Sequence, residues 1–182
     1  VPHRPGNGVV IQLLRGDLSE ASSEAVLLAI RSGGAPITSV GRRLEAVAGP
    51  QVVERVAAQG ESPVGTAFLT PGGGTGADFI IHLVLQSSDE PLSAAGLERA
   101  LKNALRRASD FGLDSVALPL LGTGPGQLAV EVSATLILRV LDEHRGEHGT
   151  PDRFLLVTES EFHAAAVSEA AAALSVVIEE PP

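Results

Sequence analysis

Residues 116–121 (VALPLL) form an apolar run that ends on the glycine-rich stretch 122–126 (GTGPG), after which an apolar stripe opens at Leu128 and returns at Val132, Leu136 and Val140. Four-residue spacing marks one face of a helix, and the short apolar run before it reads as a buried strand. A strand, a glycine turn and a helix start in that order commit the chain to an α/β unit. They also aim a nest of backbone N–H groups at an anion. Gly122, Gly124 and Gly126 leave out Cβ atoms where a phosphate must come close, with Thr123 between the first two and Pro125 stiffening the turn. The same glycines would equally serve a turn that does nothing but reverse the chain.

The rest of the chain repeats the alternation. Runs 9–14 (VVIQLL), 25–30 (AVLLAI), 65–70 (GTAFLT), 79–85 (FIIHLVL) and 153–158 (RFLLVT) predict strands. Val40, Leu44 and Val47, then Val52, Val53 and Val56, predict two helices parted by Gly49 and Pro50. Leu97, Leu101, Leu105 and Ala108 predict a third helix, with Glu98 and Lys102 as an i,i+4 pair on its opposite side, and residues 161–174 predict an alanine-rich one. Residues 175–178 (SVVI) predict a short final strand. The sum is a three-layer α/β/α sandwich with a mixed, mostly parallel sheet, its antiparallel part being the hairpin of residues 65–85. The hairpin turn (PGGGTG, 71–76) with Ala77 meets a G-x-G-x-x-A dinucleotide spacing at Gly72, Gly74 and Ala77, but a strand follows where a helix is required. It is expected to be a loose hairpin tip.

A chain of 182 residues fits one domain, placed at 9–178 between a linker remnant at 1–8 and a tail at 179–182. Its Pro/Gly-rich start and its Glu-Glu-Pro-Pro end suggest a domain of a larger protein, with other domains as partners. Thirteen basic against twenty-two acidic residues leave a net charge of −9, which argues against generic nucleic-acid binding. No apolar stretch is long enough to cross a membrane, and the absence of cysteine removes thiolate chemistry and disulfides. A cytoplasmic location is the default expectation.

Three features in order carry a resemblance: Gly16-Asp17-Leu18 closing the first strand, an apolar strand shortly after, and residues 118–126 (LPLLGTGPG) opening a helix. Together they resemble the macro domain over residues 9–174. That resemblance implies the fold above and a ligand of the ADP-ribose class; no cofactor and no metal are expected. By the same likeness Asp17 accepts a hydrogen bond from the adenine amino group, and the Leu18 N–H addresses the neighbouring ring nitrogen. A carboxylate accepting from an exocyclic amine is sound chemistry, although Asp17 at a strand end also suits a capping role. Residues 122–126 correspond to the family's second phosphate loop, with Gly122 where a serine and Gly126 where an aromatic residue is usual. The first phosphate loop departs further: residues 28–31 (LAIR) stand where hydrolytic members carry Asn-Ala-Ala-Asn, and only Gly33 and Gly34 remain of a glycine triplet. Their N–H groups are candidates for diphosphate contact, and Arg31 is either a charge for it or a solvated edge residue. Phe162 stands near where relatives place a ring on adenine, and is equally ordinary as a helix residue over the sheet.

Other chemistry is sparse. His82 sits in an apolar strand and reads as a satisfied core histidine, while His144 and His148 have metal-ligand spacing interrupted by Gly146, which suggests a frayed polar end. No catalytic residue is assigned, and the missing asparagines favour a non-catalytic nucleotide-recognising module. Two alternatives stand beside it: an ADP-ribosyl hydrolase or phosphoesterase acting by substrate-assisted attack, and a degenerate scaffold whose cleft is plugged by Leu28, Ile30 and Leu121.

Overall fold

The structure is a computed structural model, and it describes residues 8–144 and 149–180. Six strands form one sheet: β1 (Val10–Arg15), β2 (Ala25–Arg31), β3 (Ala67–Pro71), β4 (Phe79–Gln86), β5 (Ser115–Leu118) and β6 (Arg153–Thr158). Their order is β1-β6-β5-β2-β4-β3, and every pairing is parallel except β3 with β4. Five helices complete it: α1 (Ser39–Ala48), α2 (Pro50–Ala58), α3 (Ala94–Asp110), α4 (Val130–Glu143) and α5 (Glu161–Leu174).

The strands are apolar almost throughout because helices cover both faces of the sheet. Ala25, Leu27 and Ala29 of β2, Ile81, Leu83 and Leu85 of β4, and Phe154 and Leu156 of β6 share one core with α3, α4 and α5. The intervening residues Val26, Leu28, Ile30, Ile80, Val84 and Val157 share the other with Leu44, Val52 and Val56 of α1 and α2. This is the expected three-layer sandwich. Leu28, Ile30 and Leu121 are buried in these cores (3%, 1% and 1% exposed) and do not line the open cleft over the ends of β1, β6 and β5.

Local signals place the helix starts. Thr38, Ser93 and Ser160 each accept a backbone N–H of the first turn, and Gly49 ends α1 while Pro50 opens α2. Three expectations are corrected. Residues 175–178 are not a strand: Ser175 ends α5 in the left-handed region, and the chain meets the edge of β1 only at Glu179, whose N–H and C=O bond Ile11 and Leu13. Glu179 is thus tied to the edge of β1. The apolar run at 116–121 is strand only as far as Leu118, and α4 begins at Val130, two residues beyond Leu128.

The third correction concerns the hairpin turn, which is not loose. Gly74 N–H donates to Ala48 O at 3.1 Å and Gly76 N–H to Ser19 O at 3.0 Å, fastening the turn to the end of α1 and to the loop after β1. Beside it, His82 is 1% exposed and stacks on Phe68 at 5.0 Å. Its Nε2 lies 2.9 Å from Thr70 Oγ1, but its Nδ1 has no partner, so the core histidine is half satisfied. Among the described residues no cluster of three His, Asp or Glu is suited to a metal, and His148 lies outside the described residues.

Candidate functional site

In an open parallel sheet the strand ends and the loops after them create a crevice at the carboxyl side. Such a cleft, of about 480 Å³, lies here over the ends of β1, β6 and β5. Gly16 and Leu18 follow β1, Pro119 and Leu120 follow β5, and Thr158, Glu159, Ser160 and His163 end β6 and open α5. The far wall is made by residues 38–40 at the start of α1 and by Thr123, Gly124 and residues 127–130 leading into α4.

The loop after β5 is ordered by its own acceptors. Leu120 O takes Thr123 Oγ1 at 2.9 Å and Leu121 O takes Ser133 Oγ at 2.7 Å. Gly122 O takes Leu128 N at 2.9 Å and Gly124 O takes Gln127 N at 3.0 Å. With these four carbonyls turned to internal donors, the negative ends of their peptides are held away from a guest. The N-cap of α4, Ala129, supplies no side-chain cap, and both Ala129 and Val130 line the cleft. The first-turn N–H groups of that helix therefore give the wall a positive end. No Lys, Arg or Asn is among the lining residues and Glu159 is, so attraction for an anion rests on backbone dipoles.

Asp17 sits between two lining residues, Gly16 and Leu18. It caps the short turn Leu18–Glu20, with Oδ1 accepting Ser19 N at 2.9 Å and Ser19 Oγ at 2.8 Å. These hydrogen bonds, the side-chain one foremost, hold its pKa below the ordinary carboxylate value, with a contribution from the Arg43 charge. Arg43 is itself paired with Glu159. Both bonds fall on Oδ1, so the capping duty engages one carboxylate oxygen.

Of the residues expected at the site, the fold brings Leu18, Thr123 and Gly124 onto the cleft, with Asp17 at its rim. Gly122 is behind the wall, and Pro125 and Gly126 are exposed beyond it. Arg31, Gly33 and Gly34 are outside. They form a reversal in which Arg31 N–H bonds Ala35 O at 2.8 Å, Gly34 N–H bonds Arg31 O at 2.9 Å, and Ile37 N–H returns to Ala29 O at 3.2 Å. Gly34 turns toward α2, where a Cβ would stand 2.7 Å from Val56 Cγ1. Arg31 is a solvated edge residue whose Nε is 3.4 Å from Gln86 Oε1. Phe162 is 65% exposed and outside the lining, whereas its neighbour His163 is part of it.

Sequence reasoning missed Thr38, Ser160, His163 and Gln127. Ser160 had a signal, since an N-capping residue just after a buried parallel strand stands at the carboxyl edge of the sheet, whereas Thr38 follows β2 only after the reversal at 31–37. Gln127 had none: its Nε2 donates to Ile37 O at 3.3 Å, a contact between loops far apart in sequence.

A model of the Macro domain family matches residues 31–137. The chain is 35% identical over 142 residues to an uncharacterised protein of Pyrobaculum aerophilum, a match covering 73% of this chain and 77% of that one. It is 28% identical over 141 residues to the O-acetyl-ADP-ribose deacetylase of Enterobacter cloacae, covering 72% and 78%. A mutant macrodomain of Oceanobacillus iheyensis solved with ADPR has the same architecture, with a TM-score of 0.82 at 20% identity and coverage of 95% and 97%.

Proposed function

This chain belongs to the macro domain family, and from that premise we propose that its cleft binds ADP-ribose or a related adenine nucleotide derivative without turning it over. The observation that carries the reading is that two motifs about a hundred residues apart meet on one open cleft, through Gly16 and Leu18 and through Thr123 and Gly124, beside the start of a helix that lacks a side-chain cap. In this reading the base lies at the β1 and β6 ends, with the second oxygen of Asp17 accepting from the adenine amine. The phosphates lie against the loop after β5 and the first turn of α4.

Hydrolysis is the weaker reading although one relative is named a deacetylase. Positioning an attacking water or a distal sugar calls for well-placed polar groups; the lining contains no asparagine, and its one amide side chain, Gln127, is fastened to Ile37 O. Asn103, the one asparagine among the described residues, is on α3 and donates to Gly65 O at 2.7 Å.

Calorimetry with ADP-ribose, NAD, AMP and cyclic oligoadenylates tests the reading: at least one should bind, and no heat with any of them overturns it. The decisive variant is Asp17→Asn. Asparagine caps as well as aspartate does, so the melting temperature should stay near that of the wild type. The amide, however, presents a donor to the adenine amine, and losing a charge-assisted hydrogen bond should weaken binding about 10- to 100-fold. Unchanged affinity would remove Asp17 from base recognition.

A further inference from the structure

We infer that the cleft takes a nucleotide that ends at its phosphates, an adenosine mono- or diphosphate, and that the Gln127 side chain fastened to Ile37 shuts out a terminal ribose. The inference rests on the nucleotide reading above and names its ligand more narrowly. The cleft spans the ends of β1, β6 and β5 and goes no further along the sheet: after Leu18 the next lining residue in the chain is Thr38. The end of β2, which comes next in strand order, is occupied by the reversal from Arg31 to Ile37. That reversal pairs Ile30 with Pro36 and buries Ile37 to 4% exposure. The Arg31, Gly34 and Ile37 amides are spent on the Ala35, Arg31 and Ala29 carbonyls, so the reversal offers a ligand none of those donors.

Gln127 closes what would otherwise be the gap between this reversal and the loop after β5. Its Nε2 reaches the Ile37 carbonyl at 3.3 Å, joining the two rims. Its Oε1 is buried without a donor. Neither end of the amide is therefore presented to a guest: one is engaged across the gap and the other is covered. A side chain in that position obstructs and does not recognise. A ligand anchored by its base near Leu18 and by its phosphates at Thr123 and Gly124 meets this crossbar where a second sugar would begin.

Titration of the chain with AMP, ADP and ADP-ribose, side by side, tests this. The expected result is that ADP-ribose binds no tighter than ADP, because the added ribose makes no contact. In Gln127→Ala the ratio of ADP-ribose to ADP affinity should rise about tenfold, the effect of two newly formed hydrogen bonds. ADP-ribose binding tenfold or more above ADP in the wild type overturns the inference and leaves the nucleotide reading intact. An unchanged ratio in Gln127→Ala overturns the assignment to Gln127. No binding of any of the three overturns both.

Discussion

The turn at residues 71–76 and the loop at residues 122–126 are both glycine-rich stretches that follow a strand, yet a Cβ added to each meets different surroundings. At Gly72 it would lie 1.9 Å from Ala77 O, at Gly73 2.1 Å from Ala48 O, and at Gly74 2.4 Å from Val47 O. At Gly126 it would meet nothing within 4 Å, and at Gly124 only Gln127 Cγ at 4.0 Å. The protein's own backbone fills the first set of gaps, so those glycines serve packing between the hairpin and α1. In the second stretch Gly122 is in ordinary contact with the Leu128, Leu92 and Leu85 side chains, while Gly124 on the cleft and Gly126 beyond it are left open, so these glycines serve backbone shape and access. A glycine count alone does not separate the two, and what approaches each glycine does.

The largest expected effect tests the packed turn. Gly73→Ala places a side chain at φ +59 and against the Ala48 carbonyl, combining left-handed strain with overpacking at roughly 3–5 kcal/mol. Urea denaturation should show that loss. A loss below about 1 kcal/mol, the scale of an ordinary surface change, would mean that the turn is not fastened as described.

Next in size is an acid response confined to the hairpin that carries this turn. Thr70 Oγ1 donates to Pro71 O at 3.1 Å, which leaves its lone pair for His82 Nε2–H and leaves Nδ1 bare. Burial pushes the His82 pKa from 6.5 to about 4. The unfolded chain therefore binds a proton below pH 6.5 that the folded chain refuses. The stability linked to this residue is complete above pH 6.5 and is lost as pH falls toward 4, by roughly 3 kcal/mol in all. His82→Phe should flatten that part of the stability–pH curve, and an unaltered slope would assign the acid response to other groups.

How far the sequence could be read follows the same division between local and long-range causes. The sandwich was legible because each strand alternates two apolar faces and each helix carries one stripe, both local signals. Residues 175–178 misled because Val176, Val177 and Ile178 have strand propensity, while Ser175 turns the chain so that it meets β1 only at Glu179. The glycine turn after β5 was legible because its backbone conformation calls for glycine, while the Ser133 hydroxyl that helps order it comes from α4 and gave no local signal. The fate of Arg31, Gly33 and Gly34 was not, because it depends on the pairing of Ile30 with Pro36 and on α2 lying behind Gly34. Phe162 and His163 differ by one step on a helix, about 100° of rotation, and only the docked orientation of α5 decides which of them faces the cleft.

The smallest effect concerns the open loop and separates backbone shape from charge. Gly124 has φ +144, a conformation that any side chain strains, so Gly124→Ala and Gly124→Glu should lose similar stability, about 1–3 kcal/mol. Neither meets a clash, since only Gln127 Cγ lies within 4 Å. Their effects on nucleotide binding should diverge. A carboxylate at this wall opposes the ligand phosphates by ~2 kcal/mol, so Gly124→Glu should bind about 30-fold more weakly than Gly124→Ala. The gap should narrow as salt is raised, because exposed like charges are screened. Equal affinities in the two variants, measured by calorimetry at low salt, would mean that the phosphates do not lie against this loop. The contrast between a packed glycine turn and an open one would then hold as architecture without marking where a ligand sits.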